Sequence, residues 1–577
     1  MTDRSPSRWR ALLELLRPDR TRWLALGALV AATSALGLAG PIVLRRIIDQ
    51  ATAGATTQTI VGLAVVFLVI AIVTQLAQVA VAWSATVAAW RTTNDLRLSM
   101  TRHVLTLDHE FHRTHTPGEL IQRVDGDVTS VSDFLGKVVP RALGAIFLVV
   151  GMNVVLAVID WRLALGMIAY LGLAGGMLAA NRHRAISESA SEMGDYARLY
   201  GGIEERLTAT EDLRANGATA YAIDRFVTES SAALASSVAR ERAFMSMWWA
   251  VQGALAVGVA LSLIAGAALV GSGTITIGTA FLLFQYVLAV SRPLEDVVHQ
   301  LETMQKANGA MHRVAALRAI RPTVIDAGTT SPPAGPLGVS VMGVSFDYGD
   351  DQPVLRSIDA EIAPGRSVGI VGRTGSGKTT FSRLVLRLTD ATEGTVLLGG
   401  VPIGDIPMSE LRRRVALIPQ EVELFSGSIR DNVTLFDDAP TDDEVRDALA
   451  NVGLGALADG GIDRQLGAGG EGLSAGESQL LALARVWLRQ PDLIVLDEAT
   501  ARVDPETEEQ IDAAVARLIE GRTTLVIAHR LSTLQTLDEI MVFDRGEIVE
   551  HGERGSLVAD GDSRFAQLLE LALEVSS

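Results

Sequence analysis

The sequence predicts two domains of different class, an all-α membrane domain of six helices and an α/β domain after it. Three observations predict this. Uncharged runs of membrane-crossing length fill the first half. Apolar residues make up 48 % of the chain and charged ones 20 %, with a mean hydropathy of +0.29, which is unusual for a chain surrounded only by water. A glycine-rich loop stands between an aliphatic strand and a helix in the second half. The length of 577 residues also exceeds what one hydrophobic core supports, about 250 to 300 residues.

The spans follow in order. Trp23 to Leu44 carries no charge over 22 residues, and about 20 residues at 1.5 Å rise cross a hydrocarbon core. Ala51 to Trp90 holds a second span with an apolar extension. Ala142 to Ile159 and Leu163 to Asn181 are separated by Asp160, Trp161 and Arg162 alone, so they form an antiparallel pair. Ala243 to Ser291 is uncharged again, and Gly271, Ser272 and Gly273 divide it into spans five and six. Lysine and arginine near the span ends fix the orientation. Six arginines precede span one, and the segments after spans two and four hold seven and eight basic residues. The remaining links hold only Arg45, Arg46 and Arg162. Residues 1–22 are therefore read as a cytoplasmic tail, with no cleavage site of a leader behind them, and spans two to five are expected to continue as helices into the cytoplasm.

The span centres hold no Asp, Glu, Lys or Arg, which speaks against a proton or ion relay. Gln75, Gln78, Asn153, Gln252, Gln285 and Tyr286 are the candidate polar lining, with helix-to-helix hydrogen bonding as the competing role. His103, His109, His112 and His115, with Asp108 and Glu110, invite a metal reading, but their spacing fits zinc patterns poorly. There is no cysteine, so disulfides and thiolate chemistry are excluded. From Val339 onward 41 acidic residues face 21 basic ones, which argues against nucleic acid as a partner.

Gly, Pro, Ser and Thr dominate residues 327–338, the expected linker between a membrane domain at 23–326 and a second domain at 339–577. There Ser367 to Val371 reads as a strand leading into Gly372, Arg373, Thr374, Gly375, Ser376, Gly377, Lys378, Thr379 and Thr380, and then a helix. This is G-x-x-x-x-G-K-[ST] in its required strand, loop, helix setting. Glycines let backbone N–H groups turn inward on phosphates, Lys378 neutralises the β and γ charges, and the Thr379 hydroxyl can ligate Mg²⁺. Leu493 to Leu496 is an aliphatic run suited to the centre of a parallel sheet and ends in Asp497 and Glu498. Asp497 can hold Mg²⁺, and Glu498 can polarise the water that attacks the γ-phosphate. A third strand, Thr523 to Ile527, leads to His529, placed to hydrogen-bond the same phosphate.

Together with Gln420 after Ile418 and Pro419, and Leu473-Ser-Ala-Gly-Glu477 before a helix, these motifs resemble the ATP-binding cassette (ABC) transporter family. The membrane half resembles its exporter-type half-transporters, with Phe111 to Leu120 similar to their first coupling helix. The resemblance implies a membrane all-α six-helix domain followed by an α/β P-loop NTPase domain with an antiparallel β subdomain and a helical signature subdomain. It implies ATP and Mg²⁺ as cofactors and a second half-transporter chain as partner. It further implies adenine stacking on Tyr348, a sensor of Mg²⁺ and water in Gln420, signature contacts from Ser474 and Gly476 to the ATP held by the partner, and an inter-site loop through Asp504.

Departures from the family pattern matter as well. Ala475 and Glu477 stand where Gly and Gln are usual, Ala468 stands where an acidic residue is usual with Glu471 as a substitute, and Ala501 and Arg502 replace Ser and Ala. Because each site joins one chain's Walker motifs to the other's signature, the mismatch favours a heterodimer over a homodimer. The expected function is ATP-driven transport of a hydrophobic or amphiphilic small molecule or lipid across the cytoplasmic membrane. Siderophore or peptide cargo and a non-transporting regulator or channel are the alternatives.

Overall fold

The structure, a computed structural model, describes residues 19–349, 352–497, 505–528 and 534–576. Helices α1 (Arg20–Thr52), α2 (Thr57–Leu105), α3 (Val139–Ile159), α4 (Trp161–Thr208), α5 (Thr219–Gly271) and α6 (Ile277–Ala319) form the first half. Each of the six contains a stretch apolar and long enough to cross a membrane, the third within the helical path Pro117–Ile159. The 49 residues of α2 and 53 of α5 would extend roughly 75 to 80 Å at 1.5 Å per residue, more than twice a hydrocarbon core. Helices α2, α4 and α5 thus run on well past the length a span needs. The last helix does so too, running from Ile277 to Ala319 although its uncharged run ends at Ser291.

The turns are built from local chemistry. Asp160 adopts an extended backbone and its carboxylate accepts from the Arg162 N–H at 2.8 Å, capping α4 and closing the short link from α3. Between α5 and α6 the Asp49 carboxylate accepts from the Gly278 N–H and the Thr276 hydroxyl, so the end of α1 caps the start of α6. A side chain at Gly278 would meet the Arg45 carbonyl at 2.4 Å, which is why that position is glycine. The chain approaches α3 through two π-helical turns, Gln122–Gly126 and Phe134–Val138, on either side of a short helix, Asp127–Asp133.

The second half carries strands β1 (Val339–Asp347), β2 (Pro353–Ile362), β3 (Ser367–Gly372), β4 (Glu393–Leu398), β5 (Val401–Pro402), β6 (Val415–Ile418), β7 (Gly427–Ser428), β8 (Gln465–Leu466), β9 (Leu493–Asp497), β10 (Thr523–Ile527), β11 (Glu539–Asp544) and β12 (Glu547–Glu553). An antiparallel sheet has the order β2-β1-β4-β5, and a mainly parallel one the order β12-β11-β3-β10-β9-β6. Alternation along the parallel strands divides the core in two. Leu493, Val495, Leu525, Ile527 and Met541 face the layer containing the antiparallel sheet, while Ile494, Leu496, Val526, Ile540 and Val542 face a helical layer. Strands buried on both faces read as continuous aliphatic runs, as β9 does. The helical layer includes Ile429–Thr434, Asp442–Asn451 and Ala475–Arg489.

By contacts the chain divides into two units, residues 1–106 with 115–320, and residues 107–114 with 321–577. The segment after α2 therefore belongs with the second unit. There the Asp108 carboxylate accepts from the N–H groups of Thr323 and Val324. The stretch read as a linker lies along the same unit: Thr329 and Thr330 donate to the Asp405 carbonyl, and Arg414 reaches the carbonyls of Pro332, Pro333 and Gly335.

Candidate nucleotide site

The glycine-rich loop leaves the buried strand β3 and enters helix α7 (Lys378–Val385). Gly372, Gly375 and Gly377 have φ of 149°, 81° and 103°, conformations that side chains resist. At Gly372 a Cβ would lie 2.2 Å from the Phe543 carbonyl oxygen, and at Gly377 one would lie 2.7 Å from Leu355. The loop can therefore take its shape only with glycine at these positions. Lys378 is 5 % exposed, and its Nζ donates to the carbonyls of Gly372 and Arg373 at 2.8 and 3.0 Å. Its ammonium thus lies across the loop mouth. Ser376 is buried with its hydroxyl unpaired among the described residues, and Arg373, Thr374 and Thr379 are exposed.

Tyr348 follows β1, and its hydroxyl lies 3.1 Å from the Thr380 hydroxyl and accepts from Arg383 at 3.2 Å. The ring meets Phe346 edge to face at 4.9 Å between centroids, and the Arg113 guanidinium lies 5.3 Å from its centre. Sequence reasoning chose Tyr348 but missed Arg113 and Arg383. Their only sequence signal was position, in the first coupling-type segment and on the helix after the loop.

Parallel pairing brings the other candidates to one edge. β3 pairs with β10, β10 with β9 and β9 with β6, all parallel, so Gly372, Ile527, Asp497 and Ile418 end their strands on the same side. Asp497 is half-buried there, opposite Ile527, and Gln420 is exposed two residues beyond β6. Ligands of open α/β sheets bind at this carboxyl edge. Glu498, Asp504 and His529 lie outside the described residues.

The family model for the ABC transporter transmembrane region matches residues 23–294, and the model named ABC transporter matches residues 355–501. An ATP-dependent lipid A-core flippase of Chromohalobacter salexigens is 34 % identical over 83 % of this chain and 83 % of its own length. The chain belongs to the ABC transporter family. A Pseudomonas fluorescens protein of the same description is 32 % identical over 83 % and 80 %, and an uncharacterized ABC transporter ATP-binding protein of Bacillus subtilis is 29 % identical over 94 % and 90 %. In fold the chain is similar to a bacterial Atm1-family ABC exporter solved with ATP bound, with a TM-score of 0.83 at 22 % identity over 96 % of this chain and 99 % of that one. The ABC chain is thus an ATP hydrolase coupled to export, multi-pass in the cytoplasmic membrane with its cassette in the cytoplasm.

The ABC signature opens helix α8 (Ala475–Arg489). Ser474 is its N-cap, accepting from the Glu477 N–H, while the Glu477 carboxylate accepts from the Ser474 N–H at 2.8 Å. The Glu477 departure therefore has a use within the chain, since that carboxylate closes a capping box. Gly476 faces Thr507, whose Cγ2 would lie 2.0 Å from a Cβ there.

Among the amides proposed as membrane lining, Asn153 donates to Val149 of its own helix, Tyr286 is 1 % exposed, and Gln78 borders a cavity. Of the histidine cluster, His103 contacts the Leu317 carbonyl at 3.0 Å, and Glu110 pairs with Arg113. Burial lowers the His109 pKa from its ordinary value, and Arg383 beside it pushes the same way.

Proposed function

We propose that this chain is one half of a dimeric exporter that moves an amphiphilic molecule of lipid type by alternating access. The observation that supports the ATP chemistry is the shared strand edge, where the glycine loop, Lys378, Asp497 and Gln420 come together. In this reading Lys378 and the loop N–H groups hold the β and γ phosphates, and adenine stacks on the Tyr348 ring that Arg113 backs. Thr379, Asp497 and Gln420 supply the oxygen donors that Mg²⁺ takes; when bound, the ion neutralises charge between the phosphates. Glu498 polarises the attacking water and His529 hydrogen-bonds the γ-phosphate. Ser474 and Gly476 close over the ATP of the second chain.

Lipid cargo draws support from the relatives described as lipid A-core flippases. The test is ATP-dependent translocation of a fluorescent phospholipid in liposomes carrying the purified dimer. Transport that stops without ATP is expected, and ATP hydrolysis with no movement of any amphiphile would contradict the export of lipid-type cargo. An unlike partner is favoured by Ala475 and Glu477, which depart from the signature pattern in this chain. Co-expression with the neighbouring gene product should then raise ATPase activity severalfold. Full activity of the chain purified alone would overturn that part.

A further inference from the structure

Arg162, Gly166 and Tyr170 stand four residues apart in the first turns of α4, so they share one face of that helix. With α5 from Gly258 to Leu269, and α6 at Leu283 and Val287, that face walls a cavity of about 240 Å³. Two glycines shape it. A Cβ at Gly166 would have no heavy atom within 4 Å, so the missing side chain leaves open space. One at Gly258 would lie 2.5 Å from the Tyr170 ring, so α5 admits that ring only because glycine stands there.

The cavity occupies one leaflet. The links that border it, Asp160 before α4 and residues 272–276 between α5 and α6, are on the outer side by the distribution of basic residues. Its deepest lining residues, Tyr170, Gly258 and Val287, stand roughly 14 to 20 Å from those helix ends, where a whole hydrocarbon core measures about 30 Å. It therefore ends near mid-membrane. Its volume is also below the roughly 300 to 1,000 Å³ of sites that enclose a whole small molecule, which suits part of a ligand such as one acyl chain.

Two polar groups in this wall are left over. Tyr170 is 8 % exposed, and its hydroxyl has no hydrogen-bond partner among the described residues, a standing cost to the fold. A water there would need two to four polar partners, and the Ser262 hydroxyl nearby already donates to the Val259 carbonyl at 2.8 Å. Nearer the outer surface, the Arg162 side chain makes no ion pair or hydrogen bond among the described residues, and its guanidinium lies 5.8 Å from the centre of the Trp161 ring. Asp160, the carboxylate next to it in sequence, is taken up as the cap of α4. A guanidinium so placed matches a lipid phosphate, which it can meet with two parallel N–H bonds.

We infer that this cavity holds one acyl chain of an anionic glycerophospholipid of the outer leaflet. Its phosphate lies on Arg162, an ester carbonyl accepts from the Tyr170 hydroxyl, and the chain passes over Gly166 against Leu261, Leu283 and Val287. The lipid is bound in place and is not cargo, because the cavity ends near mid-membrane. The inference is separate from the export reading.

The test is photolabelling of the nucleotide-free dimer in detergent micelles with a phosphatidylglycerol carrying a diazirine on one acyl chain, the label being mapped by mass spectrometry. Label is expected on the α4 and α5 peptides that line the cavity. Unlabelled phosphatidylglycerol should compete roughly fivefold better than phosphatidylcholine, than its own diether analogue, which lacks the carbonyls, or than myristic acid. Arg162→Glu should abolish the preference over phosphatidylcholine, and Arg162→Lys should keep most of it. Tyr170→Phe should abolish the preference for ester over ether without lowering the unfolding midpoint. Gly166→Leu, which fills the open space, should remove most of the label, and Arg46→Glu, an exposed reversal at another outer helix end, should leave it unchanged. Phosphatidylcholine competing as well as phosphatidylglycerol would overturn the inference, as would absence of label on these helices or label that survives Gly166→Leu. Equal competition by the diether would overturn the part given to Tyr170, and equal competition by myristic acid would overturn the phospholipid.

Discussion

Tyr348 shows how a residue chosen from its neighbours in sequence acquires a role from its neighbours in space. Its hydroxyl is held by Thr380 and Arg383 on the helix that follows the phosphate loop, and Arg113 lies over its ring. A ring stacked on a base contributes equally before and during reaction, so its loss changes affinity and leaves the chemical step alone. Tyr348→Ala should raise the half-saturating ATP concentration roughly two- to tenfold, the equivalent of about 0.5 to 1.5 kcal/mol, with maximal rate little changed. A fall in maximal rate at constant half-saturation would mark Tyr348 as a packing residue. His109, in the segment joined to the same unit, predicts a pH effect. Its pKa is lowered by burial and then by Arg383, with His112 and Arg113 acting in the same direction and Glu110 against them. The fold therefore favours neutral imidazole, and the docking of residues 107–114 is fully stable above about pH 6.5 and weakens as pH falls through the lowered value. Amide exchange in that segment should rise on acidification, and His109→Gln should flatten the dependence.

At the scale of elements, sequence periodicity and charge placed the helices well because lipid demands long uncharged helices and water demands charged ends. The strands around Gly372 and Asp497 were legible for a related reason, since burial on both faces leaves continuous aliphatic runs. What sequence did not reveal were pairings across long separations. Asp127, 1 % exposed, accepts two hydrogen bonds from Arg313 at 2.8 and 2.6 Å, joining the approach to α3 to the end of α6. Nothing local to either residue announces the other. Removing the half-exposed guanidinium would leave the buried carboxylate without its partner, at a cost of about 1 to 3 kcal/mol. Arg313→Ala should lower the unfolding midpoint clearly, and Asp127→Asn in that background should recover much of the loss. An unchanged midpoint would show the pair to be incidental. The signature is a further case: the sequence marks Glu477 as a departure, but only the structure gives its carboxylate a partner in the Ser474 N–H.

For the whole molecule, two units of different solvent are fused in one chain, and the claim that unites them is that ATP hydrolysis on the sheet edge drives the membrane helices. In the proposed mechanism Glu498, which follows Asp497 in the sequence, is the group on which hydrolysis turns. The direct measurement is ATPase rate and ATP retention of the purified dimer in lipid, wild type against Glu498→Gln. Loss of a group that activates water is expected to slow turnover by about a hundredfold or more while ATP stays bound. Near-normal hydrolysis in the variant, with Glu intact in no other chain of the complex, would contradict the account.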